Sequence, residues 1–207
     1  MTETKRRTTK PAAERRREIV DAAISLFSER GYHETTVQDV AATAGVATGS
    51  VYIHFESKDA LLHAINVRFY EGLTERLSEI VDQFFARIGD GETITHVDAV
   101  DMIVDAVAAH VKENATLCVI TARYVAHSDL IRAEMPFVDF LTRVAEQAAE
   151  AGIIHAPQAA MLAHLAHSAI SGTMMTSIAY NRPADFEGLV EATKYMFHRT
   201  LAPEPTP

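Results

Sequence analysis

The chain has 207 residues, enough to bury a large core as one domain or two small ones. Apolar residues make up 48% and charged residues 23%, which excludes a disordered or low-complexity chain, and no stretch has the length and apolarity of a membrane span. The net charge of −9 is unevenly spread: residues 1–68 hold ten Lys and Arg against nine Asp and Glu, whereas the remainder holds nine against nineteen.

The single cysteine, Cys118, allows no internal disulfide and fits a reducing cytosol, so a cytoplasmic location is expected. The basic N-terminus is followed by no apolar run, so no signal peptide is predicted. Residues 1–10 read as a flexible basic arm. Lys5, Arg6, Arg7 and Lys10, with Arg15, Arg16 and Arg17 behind them, form the kind of cluster that lies along nucleic-acid phosphates. A first helix is predicted over Pro11–Arg30, with proline at its first turn and Gly31 ending it. Leu26 and Phe27 anchor a small core, and Tyr32 plugs the gap behind it.

Thr36 and Asp39 form a capping box that starts a second helix, with Val37, Val40, Ala41 and Ala44 on its apolar face. Gly45 supplies a left-handed C-cap. A third helix over about 48–55 turns Val51 and Phe55 inward and offers Thr48, Ser50, Tyr52 and His54 on its other face. Two short helices joined by a tight turn make a helix-turn-helix, whose second helix can enter a major groove. Ser57 caps a fourth helix. Lys58 in its first turn opposes the helix dipole, a local cost that implies another task such as meeting a phosphate.

The run Gly45-Val46-x-x-Gly49-x-Val51-Tyr52-x-His54-Phe55-x-Ser57-Lys58-x-x-Leu61-Leu62 resembles the signature of the TetR family of transcriptional regulators. So does Phe27-x-x-x-Gly31-Tyr32-x-x-Thr35-Thr36 before it. The resemblance covers about the first 65 residues at motif level and is architectural beyond them. It implies DNA contacts at Thr36, Gln38, Thr48, Gly49, Ser50, Tyr52, His54 and Lys58. Gln38, Thr48 and Ser50 would face base edges, Gly49 would allow close approach, and the others would mostly hold phosphates. Ala47 departs from the family pattern, which favours a capping side chain there, and this leaves the start of the recognition helix open.

The fourth helix is predicted to run to about Ile88 and stop at Gly89-Asp-Gly91. Thr95 and Asp98 cap a fifth, on which Asp98, Asp101 and Asp105 read as a solvated face. Further helices are expected over about 115–127, 136–151, 157–180 and 184–201, with a short element over 128–135. No Gly-rich phosphate loop, CxxC or HExxH is present, so no catalytic residue, metal site, cofactor or enzymatic activity is predicted. His164 and His167 share a helix face that His110 could approach, but a tetrahedral site would need further ligands. Met and Phe side chains interleaved with His and Ser give the look of an apolar pocket with a few polar groups. The candidate lining is Phe69, Val107, His110, Tyr124, Phe137, Phe140, His164, His167, Ser171, Met174 and Met175.

The expectation is an all-α protein of about nine helices. It comprises the arm 1–10, a helix-turn-helix DNA-binding domain 11–56, a helical effector-binding and dimerisation domain 57–201, and a loose tail 202–207. By resemblance it is a homodimeric regulator, paired through its last two helices and without a membrane partner. It would repress from a near-palindromic double-stranded operator and be released by a small, largely apolar effector that acts through the fourth helix. The alternative is a DNA binder of the same fold that answers to a protein partner and binds no small molecule.

Overall fold

The computed structural model describes residues 11–124, 135–180 and 183–203, apart from the side chains of 170–172 and 183–184. The expected basic arm, most of the short element over 128–135 and the last four residues lie outside that description. Among the described residues every regular element is a helix. The chain divides into two compact units, Met1–Ile65 and Asn66–Pro207.

The first unit holds α1 (Ala12–Arg30), α2 (Val37–Thr43), α3 (Thr48–His54) and the start of α4 (Lys58–Gly89). Its core is built from Ile19, Ala23, Leu26 and Phe27 of α1, Val40 and Ala41 of α2, Val51 of α3, and Phe55, Leu61, Leu62 and Ile65. These positions recur at three- and four-residue spacing, so each helix offers one apolar stripe to the others. The capping box of α2 forms as the sequence requires: the Asp39 N–H donates to Thr36 Oγ1 at 3.2 Å, and the Thr36 N–H donates to Asp39 Oδ2 at 2.9 Å. Gly45, at φ +66°, then lets the Val46 N–H reach back to the Ala41 carbonyl at 2.9 Å and its own N–H reach Ala42 at 3.2 Å. That paired closure needs a left-handed residue at Gly45.

The second unit holds the rest of α4, then α5 (His96–Glu113), α6 (Ala115–Tyr124), α7 (Met135–Glu150), α8 (Ala159–Ile170), α9 (Thr176–Ala179) and α10 (Pro183–Thr200). A π-helical segment, Ser171–Met175, joins α8 to α9. With that run taken as one helix, the described residues hold nine. The sequence reading placed an uninterrupted helix there. The wider turn goes with Thr173, whose hydroxyl bonds back to the Ala169 carbonyl and competes with the backbone ladder.

Phe69, Leu73 and Leu77 of α4, Val100, Val104, Val107 and Val111 of α5, Met174 and Met175, and Phe186, Val190 and Phe197 of α10 form one buried cluster. A second gathers Phe84, Ala148 and Ile153. The acidic stripe of α5 is largely solvated, as expected, with Asp98 and Asp105 exposed and Asp101 half-buried, but its carboxylates are engaged. Asp98 closes the capping box with Thr95, Asp101 meets His198 Nε2 at 2.9 Å, and Asp105 meets Lys194 at 2.7 Å. Two of the three carboxylates therefore bind α10, whose His198 and Lys194 lie more than ninety residues away from Asp101 and nearly as far from Asp105 in sequence.

Candidate nucleic-acid interface and apolar cavity

The outer face of α3 follows from how the helix starts and what it buries. Ala47 gives no side-chain cap; the Ser50 N–H instead donates to the Ala47 carbonyl at 2.8 Å, so the backbone alone closes the first turn. Val51 then points fully inward and fixes the rotation of the helix. Gly49, Tyr52 and Ile53, at three- and four-residue spacing, face outward, while Thr48, Ser50 and His54 flank them half-buried. Thr36 and Gln38 of the preceding cap and helix are exposed as well. The Thr36 hydroxyl is engaged with Asp39 Oδ2 at 2.6 Å, and this bond holds the Asp39 carboxyl below its usual range. Helix α3 carries no Asp, Glu, Lys or Arg, so the face is neutral and made of short hydrogen-bonding groups, a phenol, an imidazole and one isoleucine. Ile53 was not among the residues singled out from sequence. Its helical spacing to Gly49 is the signal that places it on this face.

Lys58, expected to meet a phosphate, is engaged instead by the chain's own backbone. Its Nζ donates to the carbonyls of Tyr32 at 2.8 Å, Thr35 at 3.0 Å and His33 at 3.4 Å, and lies 4.3 Å from the centre of the Tyr32 ring. An ammonium has three protons to give, and all three meet backbone oxygens of the loop before α2. The Tyr32 hydroxyl donates to Asp59, one residue on. Burial, then that bond and the carboxylate charge, push the Tyr32 phenol well above its ordinary value. Arg16, though exposed, lies with its guanidinium 4.7 Å above the Phe55 ring.

In the second unit the residues predicted to line a pocket fall into three groups. Phe69, Val107, Phe137, Met174 and Met175 lie in the large buried cluster, with Phe140 packed against it. His110 and His167 are buried among aromatic rings. His110 Nε2 donates to the Phe69 carbonyl at 3.1 Å, and burial lowers its pKa; the His167 ring lies 5.5 Å from Tyr70 and 5.9 Å from Phe137. Tyr124 is half-buried and His164 exposed, with its Nδ1 2.9 Å from the Ala160 carbonyl, while the Ser171 side chain falls outside the described set. The three histidines are not brought together, and no metal-binding group of His, Cys, Asp or Glu occurs among the described residues.

A cavity of about 130 Å³ opens elsewhere in this unit, between α5, α7, α8 and α10. Its walls include Val100 and Ile103 from α5, Leu141 and Val144 from α7, Leu162 and Ala163 from α8, and Phe197 from α10. Every lining side chain is apolar, and none is among the eleven predicted from sequence. Alanines at 99, 145, 148, 163 and 166 leave the room. Cys118 is buried outside this wall, and burial pushes its thiol up to about 12.

A helix-turn-helix with a neutral, exposed second helix is the architecture of a DNA-binding module. Comparison with known proteins gives the family. Residues 19–65 match the description of bacterial regulatory proteins of the tetR family. Over 67 residues the chain is 45% identical to the HTH-type transcriptional repressor KstR2 of Rhodococcus jostii, a match covering 32% of this chain and 33% of that one. The matched stretch is thus about a third of the relative's length. The fold extends further: the fatty acid degradation regulator FadR from Bacillus halodurans superposes with a TM-score of 0.71 at 15% identity, over 92% of this chain and 96% of that one. FadR from Bacillus subtilis, in complex with stearoyl-CoA, does so with 0.69 at 19% identity, over 87% and 96%. The helix-turn-helix of this chain, residues 19–65, is that of the TetR family of transcriptional regulators.

Proposed function

We propose that this protein is a homodimeric repressor that binds a near-palindromic DNA operator and is released by a small molecule with an apolar body. The observation that carries the reading is the outward face of α3, neutral and rich in hydrogen-bonding groups, on a motif matched to DNA-binding regulators over residues 19–65. Gln38, Thr48 and Ser50 read base edges, Gly49 admits close approach, and Tyr52 and His54 hold phosphates, while Thr36, whose hydroxyl and N–H are both given to Asp39, serves as the cap of α2. Lys58, whose donors are committed to the loop carbonyls, positions the motif and adds its charge near the backbone. Exposed Met161 and Leu165 on α8, with Tyr195 and Met196 on α10, support pairing of two copies through these helices.

The wholly apolar cavity supports an effector with an aliphatic or ring-shaped apolar part, since a charged group there would be buried without a partner. Its volume is close to the roughly 150 Å³ of apolar cavities that accept a benzene ring. The fatty-acyl thioester in the Bacillus subtilis FadR complex makes acyl-CoA esters the first class to try. Release requires that the effector bind the DNA-incompetent state more tightly; α4, shared by both units, carries the change.

The test is operator selection from randomised duplexes, then displacement of the bound duplex by an acyl-CoA series read by fluorescence anisotropy. Displacement should be lost in Ala163→Leu, which fills the cavity, with operator affinity kept. Displacement unaffected by Ala163→Leu would move the effector elsewhere, and failure to enrich any duplex would sink the reading as a whole.

A further inference from the structure

Ile53 is the most exposed large apolar side chain among the described residues, at 81% of its full surface. A single exposed isoleucine needs no explanation by itself. Here it lies on the outward face of α3, one turn beyond Gly49 and beside exposed Tyr52. Gly49 is informative too. A side chain built there would meet nothing within 4 Å, and its backbone is ordinary helix, so neither internal packing nor a left-handed conformation requires glycine. Glycine is also the poorest helix former after proline, and isoleucine on an exposed helix gains nothing from its branched side chain. The face thus combines a missing side chain with a protruding apolar one, on a helix with no charge to repel a polyanion.

We propose that Ile53 is a sequence-reading residue that packs on the 5-methyl group of one thymine in each operator half-site. The proposal rests on the operator-binding function above. An isoleucine has no donor or acceptor, so of the groups a major groove displays it matches only the thymine methyl. Opposite cytosine it would instead cover an amino group that loses its water and gains no partner. The minor groove offers no methyl, so this contact also fixes which groove α3 enters.

The experiment uses the full chain and the duplex recovered by selection. Each thymine of a half-site is replaced, one at a time, by deoxyuridine, which removes the methyl group and keeps the base pair. One position should cost wild type about fourfold in affinity, the effect of burying one methyl-sized group. The same change should cost Ile53→Ala nothing, and Ile53→Ala should bind the unmodified duplex more weakly by at least that factor. Ile53→Asn should shift the preferred base at that position away from thymine. Because the side chain is exposed, unfolding midpoints of both variants should match wild type. The proposal is overturned if no thymine methyl matters, or if its removal costs wild type and Ile53→Ala equally. Enrichment of no duplex would instead sink the operator reading, and this proposal with it.

Discussion

In the first unit a lysine threads three backbone carbonyls 23 to 26 residues away, a glycine holds a left-handed corner, and a threonine and an aspartate satisfy each other across one helical turn. In the second unit the large cluster is aliphatic and aromatic volume, and the cavity beside it is bounded by alanines, branched side chains and Phe197, all of them apolar. The difference follows from the work each unit is suited to. A surface that reads fixed positions on a rigid duplex must itself be fixed, and directional bonds do that. A body that accepts an apolar molecule needs volume of the right size, which many side-chain combinations supply. The comparisons differ in reach, with 45% identity over 67 residues to one relative and likeness of fold over 87–92% of the chain at 15–19% identity to others.

The sharpest test of this contrast is volume against geometry. Phe69→Ala should destabilise the second unit by about 3–5 kcal/mol, whereas Phe69→Leu, nearer in volume, should cost far less. Chemical denaturation gives both numbers, and equal losses would mean that the aromatic ring is held by shape after all. Gly45→Val tests the first unit: the Cβ it adds meets nothing within 4 Å, so the expected cost is chiefly backbone strain, about 1–3 kcal/mol. Gly45→Asn should recover part of it, because asparagine tolerates the left-handed region. Operator affinity should fall with Gly45→Val, while effector binding, followed by calorimetry, stays the same.

Lys58→Met keeps much of the side chain's length and removes the donors. It should cost about 1–3 kcal/mol through carbonyls left without them. Hydrogen exchange of the loop before α2 should rise; unchanged exchange would reduce the clamp to an incidental contact.

The smallest effects concern acid. Asp39 and Asp98 are held below the usual carboxylate range by Thr36 and Thr95 respectively, so the two caps contribute stability above about pH 4 and lose it as pH falls through their lowered values. His110 acts earlier. Burial lowers its pKa, so below about pH 6.5 the unfolded chain takes up a proton that the folded chain refuses, and stability falls until pH passes below the folded value. Melting temperature against pH should therefore drop first in the second unit, and His110→Gln should remove that early drop while leaving the one near pH 4.

What the sequence revealed depended on reach. The boxes at Thr36 and Thr95, the Gly45 corner and the Ser57 cap, which accepts the Ala60 N–H at 3.0 Å, each join residues within five positions, so local spacing exposes them. The Lys58 clamp, the Asp101–His198 bond and the Asp105–Lys194 ion pair join distant segments, so local spacing cannot show the partners; only Lys58, set against the helix dipole, carried a local sign of being engaged. The cavity was harder still. It is defined by atoms that alanines lack, whereas a search for a pocket favours Met, Phe and His, and most of those are packed in the core. Ile53 escaped because an apolar residue on a short helix reads as core until the neighbours that would bury it prove absent.

The clamp also sets an order of events during synthesis. Tyr32, His33 and Thr35 leave the ribosome well before Lys58, so their carbonyls must stay hydrated until the first turn of α4 has been made. At 5–20 residues per second that wait is on the order of one to several seconds. A fragment cut at residue 56 would never end it. The shortest chain able to complete the motif therefore extends into α4, in keeping with a first unit that closes at Ile65.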